Sequence, residues 1–128
     1  MAIIRIEGGQ DQVYNGAGIQ LVGSHAPDQE GLSPKELLES ALALCISITL
    51  QKLLERDGVS YEKDEIIVEV KARKEEGVTN RFTHFHTTLT FPSVLDPAYR
   101  AKLLTIVERS CTISNTLRGD VVIETIEK

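Results

Sequence analysis

Tryptophan is absent from this chain, and aromatic residues make up only 5% of it. A surface that stacks nucleic-acid bases needs such rings, so a single-strand binding platform is excluded. Positive charge is also in short supply: 14 Lys and Arg stand against 19 Asp and Glu, for a net charge of −5, and no basic stripe occurs. Nonspecific attraction to a nucleic-acid backbone therefore has no electrostatic basis, and no nucleic-acid partner is expected. Cysteine is limited to Cys45 and Cys111, far apart in sequence and in no C-x-x-C pair, so zinc and thioredoxin-type spacings are missing. In a reducing compartment such a pair is not a structural disulfide. The opening MAIIRIEGG lacks a basic region followed by a long apolar core, so a cytoplasmic location is expected. The longest uncharged run, around Cys45, is short for a bilayer span and carries Ser and Thr, so no membrane partner is expected. No glycine-rich phosphate loop, nucleophile elbow or H-E-x-x-H is present.

What remains is a chain of 128 residues, a single-domain length, with ordinary hydrophobic (41%) and charged (26%) fractions. Its organising stretch runs from Ser33 to Gly58, SPKELLESALALCISITLQKLLERDG. Ser33 caps a helix, Pro34 suits its first turn, and Glu36 completes a capping box. Gly58 tolerates the left-handed conformation that ends many helices. The helix so defined has about 24 residues and is roughly 36 Å long. Its charges sit near the two ends, and ALALCISITL (41–50) carries none, which implies burial on every side. One sheet and one further helix leave part of such a surface uncovered. The pattern predicts an obligate, hydrophobic homodimer.

Before that helix, residues 2–6 and 12–22 read as short strands, punctuated by Gly8-Gly9 and Asn15-Gly16. After it, 65–73 alternates as a half-buried strand, with Ile66, Val68, Val70 and Ala72 on one face. A second strand is expected over 81–91, with Phe85, Leu89 and Phe91 on one face. Asp96-Pro97 opens another helix that ends near Cys111. A short turn over 112–118 and a last strand at 121–126 (VVIETI) complete the order. The fold class is α+β: three strands, a long helix, two strands, a helix and a strand, in a single domain over 1–128.

Cys45 lies in the uncharged middle of the long helix. A buried cysteine usually acts as a small hydrophobe, and reactivity needs a cation or a helix N-terminus near the sulfur. Cys45 is about three turns from Ser33, where the helix dipole offers little. Cys111 falls at the end of its helix, where the dipole disfavours an anion, yet it could resolve an oxidised Cys45. His84 and His86 share a strand face with no third ligand indicated, so a solvated face is favoured and no metal is expected. His25, in a polar loop, has no evident role.

Two segments, SPKELLESALALC and VERSCTISNTLRGDVVIE, resemble the first- and second-cysteine segments of the OsmC/Ohr family. The resemblance covers nearly the whole chain. It implies an OsmC-like fold, with antiparallel sheet packed on a long central buried helix and a second helix, as an intertwined homodimer. It also implies a thiol-dependent peroxidase acting on organic hydroperoxides: Cys45 attacks the peroxide, Cys111 resolves it, and no cofactor is required. A dithiol such as a lipoyl group would serve as reductant, and the Ala41–Ile48 region would line an apolar pocket.

Characterised peroxidases of the family hold the thiolate with an arginine from the N-terminal segment and a glutamate just after the helix-opening proline. Here Lys35 follows Pro34 and Glu36 comes one place later, a rotation of about 100° on a helix. The only arginine before the helix is Arg5, inside the first strand, and Thr112 stands where a proline commonly follows the second cysteine. Glu36 and Lys35 are candidate supporting residues, and Lys35, Arg109 or Arg118 are candidate sources of the missing charge. The alternative reading is a non-catalytic relative that binds a small apolar ligand or senses oxidants at the dimer interface.

Overall fold

The structure, a computed structural model, describes residues Met1–Lys128. Its elements are β1 (Ile3–Glu7), β2 (Gln10–Asn15), β3 (Gly18–Gly23), α1 (Pro34–Arg56), β4 (Ile67–Arg73), β5 (His84–Thr90), α2 (Pro97–Ser110) and α3 (Thr112–Arg118), with a 3-10 turn at Lys63–Glu65. The architecture is α+β, with antiparallel strands and helices. The chain divides into two compact units, one of residues 1–40 and 72–84, the other of 41–71 and 85–128.

In the first unit β1, β2 and β3 form an antiparallel sheet in sequence order. Gly8 and Gly9 both take positive φ (59° and 79°), the requirement of a tight turn whose twist matches the strands. The second hairpin turns at Asn15, whose side-chain oxygen accepts from the Ala17 N–H at 2.8 Å. The loop after β3 is pinned back by Leu32 N–H to the Val22 carbonyl (3.0 Å) and Ser24 N–H to the Leu32 carbonyl (2.8 Å). At the helix start the capping box is complete. The Ser33 N–H and hydroxyl donate to Glu36 Oε1 (3.0 and 2.8 Å), and the Glu36 N–H donates to Ser33 Oγ (3.3 Å).

The second unit holds the hydrophobic core. Leu42, Ile46, Leu50, Leu53 and Leu54 recur at helical spacing and form the buried stripe of α1. They pack with Leu95, Leu103, Val107 and Cys111, and with half-buried Val68, Val70, Phe85 and Leu89 around them. Truncating Leu50 or Leu54 to Ala costs about 2–5 kcal/mol, the range for a leucine that leaves a cavity. The helix ends in a Schellman turn: Gly58, at φ 66°, donates to the Glu55 carbonyl and Val59 to that of Leu54. Asp96 caps α2 by accepting from the Tyr99 N–H at 2.9 Å, with Pro97 at the first helical position.

The middle of α1 is not enclosed within one chain: Leu44 and Ile48 are 63% and 41% exposed, the kind of surface the sequence pattern leaves uncovered by one sheet and one further helix. Two expectations are corrected. Residues 112–118, read as a turn, form α3: Cys111 caps it, and the Thr116 hydroxyl donates to the Thr112 carbonyl at 2.9 Å. Residues 121–126, read as a strand, pair with nothing, and their apolar side chains are exposed. A strand's preference is fit to a pleated, half-buried surface, and a single chain offers this segment none.

Candidate active site

α1 carries a second stripe beside its core face. Ala41, Leu44, Cys45, Ile48, Thr49, Lys52 and Arg56 recur with the period of one helix face, each three or four residues from another of the set, and all line one cavity. The cavity has a volume of about 690 Å³ and is completed by Leu53, Ser110, Thr112 and Ile113. Cys45 is half-buried on its wall, and Cys111 is fully buried.

Cys111 sits where one helix stops and the next begins. Its N–H closes α2 on the Val107 carbonyl (3.1 Å), and its carbonyl accepts from the Asn115 N–H of α3 (3.0 Å). Its sulfur accepts from the Ser114 N–H at 3.4 Å. This break aims the first N–H groups of α3 and the Cys111 thiol at Cys45.

The two thiols are driven apart in acidity. Burial pushes the Cys45 thiol up, but hydrogen bonds to its sulfur outweigh that. The donors are the Cys111 thiol, the Ile113 and Thr112 N–H groups and the Thr49 hydroxyl, and the net direction is down. Cys111 moves up, first through burial, then because its proton is held by the Cys45 sulfur, with Ser114 N–H opposing. Of the two thiols, Cys45 is therefore the readier to ionise and Cys111 the readier to keep its proton. The Thr49 hydroxyl also lies within reach of the Cys45 carbonyl, to which it donates at 2.8 Å.

The structure brings Cys45 and Cys111 together and places the supporting candidates elsewhere. Lys35 pairs with Glu39 at 3.3 Å and lines a different cavity of about 510 Å³ with His25, Arg73, Lys74 and Phe82. Glu36 is engaged in the helix cap, which holds its carboxyl below the usual range through the Ser33 N–H and hydroxyl. Arg118 donates to the Glu108 carbonyl (3.0 Å), and Arg109 offers its carbonyl to Asn115 (3.1 Å). The Arg5 guanidinium lies over the Tyr14 ring, 5.2 Å from its centre. None of the expected cations lowers Cys45; neutral donors do so. His25 pairs with Asp11 (2.7 Å), and His84 with the Thr83 hydroxyl (2.7 Å).

Sequence reasoning missed Thr49, Lys52, Arg56 and the N–H groups of α3. The first three were within reach, because counting in steps of three and four from Cys45 lands on each. Backbone donors leave no mark in a sequence.

With this geometry, comparison with known proteins is decisive on class. The model of the family described as OsmC-like protein matches residues 27–126, and the chain belongs to that family. A particular relative is the Bacillus subtilis protein YmaD, 34% identical over 107 residues that make up 74% of this chain. The match covers 66% of YmaD, so the chain spans a little under two thirds of that relative's length. Among solved structures, an OsmC-like protein from Mycoplasma pneumoniae superposes with a TM-score of 0.77 at 13% identity, covering 93% of this chain and 86% of the other. The organic hydroperoxide resistance protein OhrB of Bacillus subtilis gives 0.64 at 20% identity, covering 94% and 92%. At these identities the two structures establish a shared OsmC-like fold.

Proposed function

We propose that this protein is a thiol-dependent peroxidase that reduces organic hydroperoxides, with Cys45 as the attacking thiol and Cys111 as the resolving one. The observation that carries this reading is the pairing of an acidified Cys45 with a protonated Cys111 on the wall of a largely apolar cavity. The Cys45 thiolate attacks the terminal peroxide oxygen. The O–O bond breaks, Cys45 becomes a sulfenic acid, and the alkoxide takes a proton to leave as the alcohol. The Cys111 sulfur then attacks the Cys45 sulfur, and its proton leaves with the sulfenic hydroxyl as water. The disulfide that results is returned to two thiols by a dithiol such as a lipoyl group, which is itself oxidised to a disulfide. No other cofactor enters these steps.

Burial of Cys111 suits the second step. Its thiol keeps its proton more readily than Cys45 does, and it stands next to the sulfur it must attack. Leu44, Ile48 and Ile113 around Cys45 suit an organic substituent better than the strongly hydrated hydrogen peroxide. Proteins of this family are typically homodimers. Exposed Leu44 and Ile48 on α1, with Val121, Val122, Ile123 and Ile126 beyond α3, are the surface we assign to a second copy.

The absence of any arginine acting on Cys45 favours a second reading, a non-catalytic relative that holds an apolar ligand in this cavity or senses oxidants. Consumption of cumene hydroperoxide with dihydrolipoate as reductant separates the two. Peroxidase action requires turnover by the wild type that is lost in Cys45→Ser. Turnover that persists in Cys45→Ser removes Cys45 from the reaction. No turnover in the wild type, with stoichiometric uptake of a lipophilic probe, establishes the binding reading.

A further inference from the structure

A second cavity, of about 510 Å³, lies within the first unit and shares no residue with the cavity around Cys45. Its volume is that of a small-molecule site. Four basic side chains line it, His25, Lys35, Arg73 and Lys74, and no carboxylate does. In a chain with 19 Asp and Glu against 14 Lys and Arg, that is a local reversal of sign. Pro27, Pro34 and Phe82 supply an apolar wall beside these charges.

The four bases are not equivalent. Lys35 is offset by Glu39 at 3.3 Å, and His25 is held by Asp11 at 2.7 Å. Lys74 is held by neutral groups instead. Its ammonium donates to the Thr79 carbonyl at 2.7 Å and stands over the Phe82 ring, 5.4 Å from the centre. Those contacts orient the ammonium while leaving its charge whole, with two of its three donors unused. The Arg73 guanidinium has neither an ion-pair nor a hydrogen-bond partner, although its backbone is anchored, its carbonyl accepting from the Thr83 N–H at 3.0 Å. Glu39 accepts from the Ala72 N–H at 2.7 Å as well as holding Lys35, so one carboxylate ties the start of α1 to the end of β4. The two sides of the cavity are therefore fixed relative to each other, and two consecutive cations on its lining have no anion to offset them.

Two such charges, one of them a forked donor, match a phosphate monoester. That group carries about −1.5 to −2 at pH 7, and its oxygens accept the parallel N–H pair of an arginine. A carboxylate or a sulfate ester, with a single negative charge, leaves one of the two cations unmatched. We infer that this cavity binds small soluble phosphate monoesters with an apolar body. Arg73 and Lys74 hold the phosphate, and the body rests on Pro27, Pro34 and Phe82. Cys45 and Cys111 take no part, so the inference stands or falls apart from the peroxidase reading.

The test is titration calorimetry of the whole chain with phenyl phosphate, phenyl sulfate and inorganic phosphate at low salt. Phenyl phosphate should bind about tenfold or more tightly than either of the others, and added salt should weaken it. Arg73→Gln and Lys74→Gln should each weaken it about tenfold, and Arg73→Lys, which keeps the charge and loses the fork, should recover only part of the loss. Both side chains are exposed, so these variants should melt at the wild-type temperature, which separates lost binding from lost folding. Cys45→Ser should bind phenyl phosphate as the wild type does. No binding of phenyl phosphate, equal binding of phosphate and sulfate esters, or an affinity that Arg73→Gln and Lys74→Gln leave unchanged overturns the inference. Vesicles containing phosphatidic acid test the other source of the same group: sedimentation of the protein with them, lost in Arg73→Gln, overturns the assignment to a soluble ester.

Discussion

The thiols of Cys45 and Cys111 act on each other, and their pKa values move in opposite directions, Cys45 down and Cys111 up. α1 supplies one sulfur from its middle, and the break between α2 and α3 supplies the other together with two N–H donors. A cation is not needed to lower Cys45 when four neutral groups already do so.

The acidity of Cys45 is directly measurable. Alkylation by iodoacetamide, followed against pH by peptide mass spectrometry, should modify Cys45 before Cys111. The midpoint for Cys45 should fall below about 8.5, the value for a free cysteine. Cys111→Ala removes one donor, so the midpoint should move upward and the rate at neutral pH should fall. A midpoint unmoved by Cys111→Ala means that the thiol contributes nothing to Cys45.

Tyr99 and Asp57 fasten α2 to the end of α1 through a 2.6 Å hydrogen bond. Burial and the Asp57 carboxylate push Tyr99 up to about 12. A raised folded value means that this contribution is complete below the unfolded value of about 10 and is lost as pH rises toward 12. Tyr99→Phe should therefore lower stability at neutral pH by roughly 0.5 kcal/mol, the low end for a hydrogen bond open to water. The difference from wild type in urea melts should shrink as the pH climbs past about 10. A constant difference across that range contradicts the assignment.

Gly31 is the residue in the loop before α1 least able to change. It has a φ of +89°, and a Cβ there would lie 2.4 Å from the Val22 carbonyl oxygen, which is backbone and cannot swing aside. Gly31→Ala should cost at least about 1–3 kcal/mol. Gly58→Ala, at φ +66° with open space around it, should cost only about 1 kcal/mol. Equal effects of the two substitutions in denaturant melts would rule out the close contact.

The exposed apolar residues predict association. Sedimentation of the wild type should show a dimer at micromolar concentration. Ile123→Asp or Val122→Asp should shift it toward monomer, since each puts a charge where a second copy would bury an aliphatic side chain. Monomeric wild type, or variants that sediment unchanged, would remove residues 121–126 from the interface.

Much of this architecture can be read from the chain because its signals are local. Ser33 with Glu36, Asp96 with Pro97, and the paired glycines at 8 and 9 act within a few residues of themselves, and each does what its chemistry dictates. α3 escapes such reading because TISNTLR is made largely of weak helix formers, and its start depends on a cap from Cys111. VVIETI misleads in the opposite way: it has strand residues but no strand to pair with in one chain. For the site, the meeting of Cys45 and Cys111 follows from the family resemblance and not from spacing. Thr49, Lys52 and Arg56 are legible as a helical stripe once Cys45 is taken as its origin.

The central claim is that the two sulfurs form one redox unit, and mapping the products of a single oxidation tests it most directly. Reduced protein is treated with one equivalent of cumene hydroperoxide, quenched by alkylation and digested. The account predicts a Cys45–Cys111 disulfide-linked peptide as the main product, absent in Cys45→Ser. Recovery of Cys45 as a dimedone-trapped sulfenic acid beside an alkylated, unlinked Cys111 would contradict it.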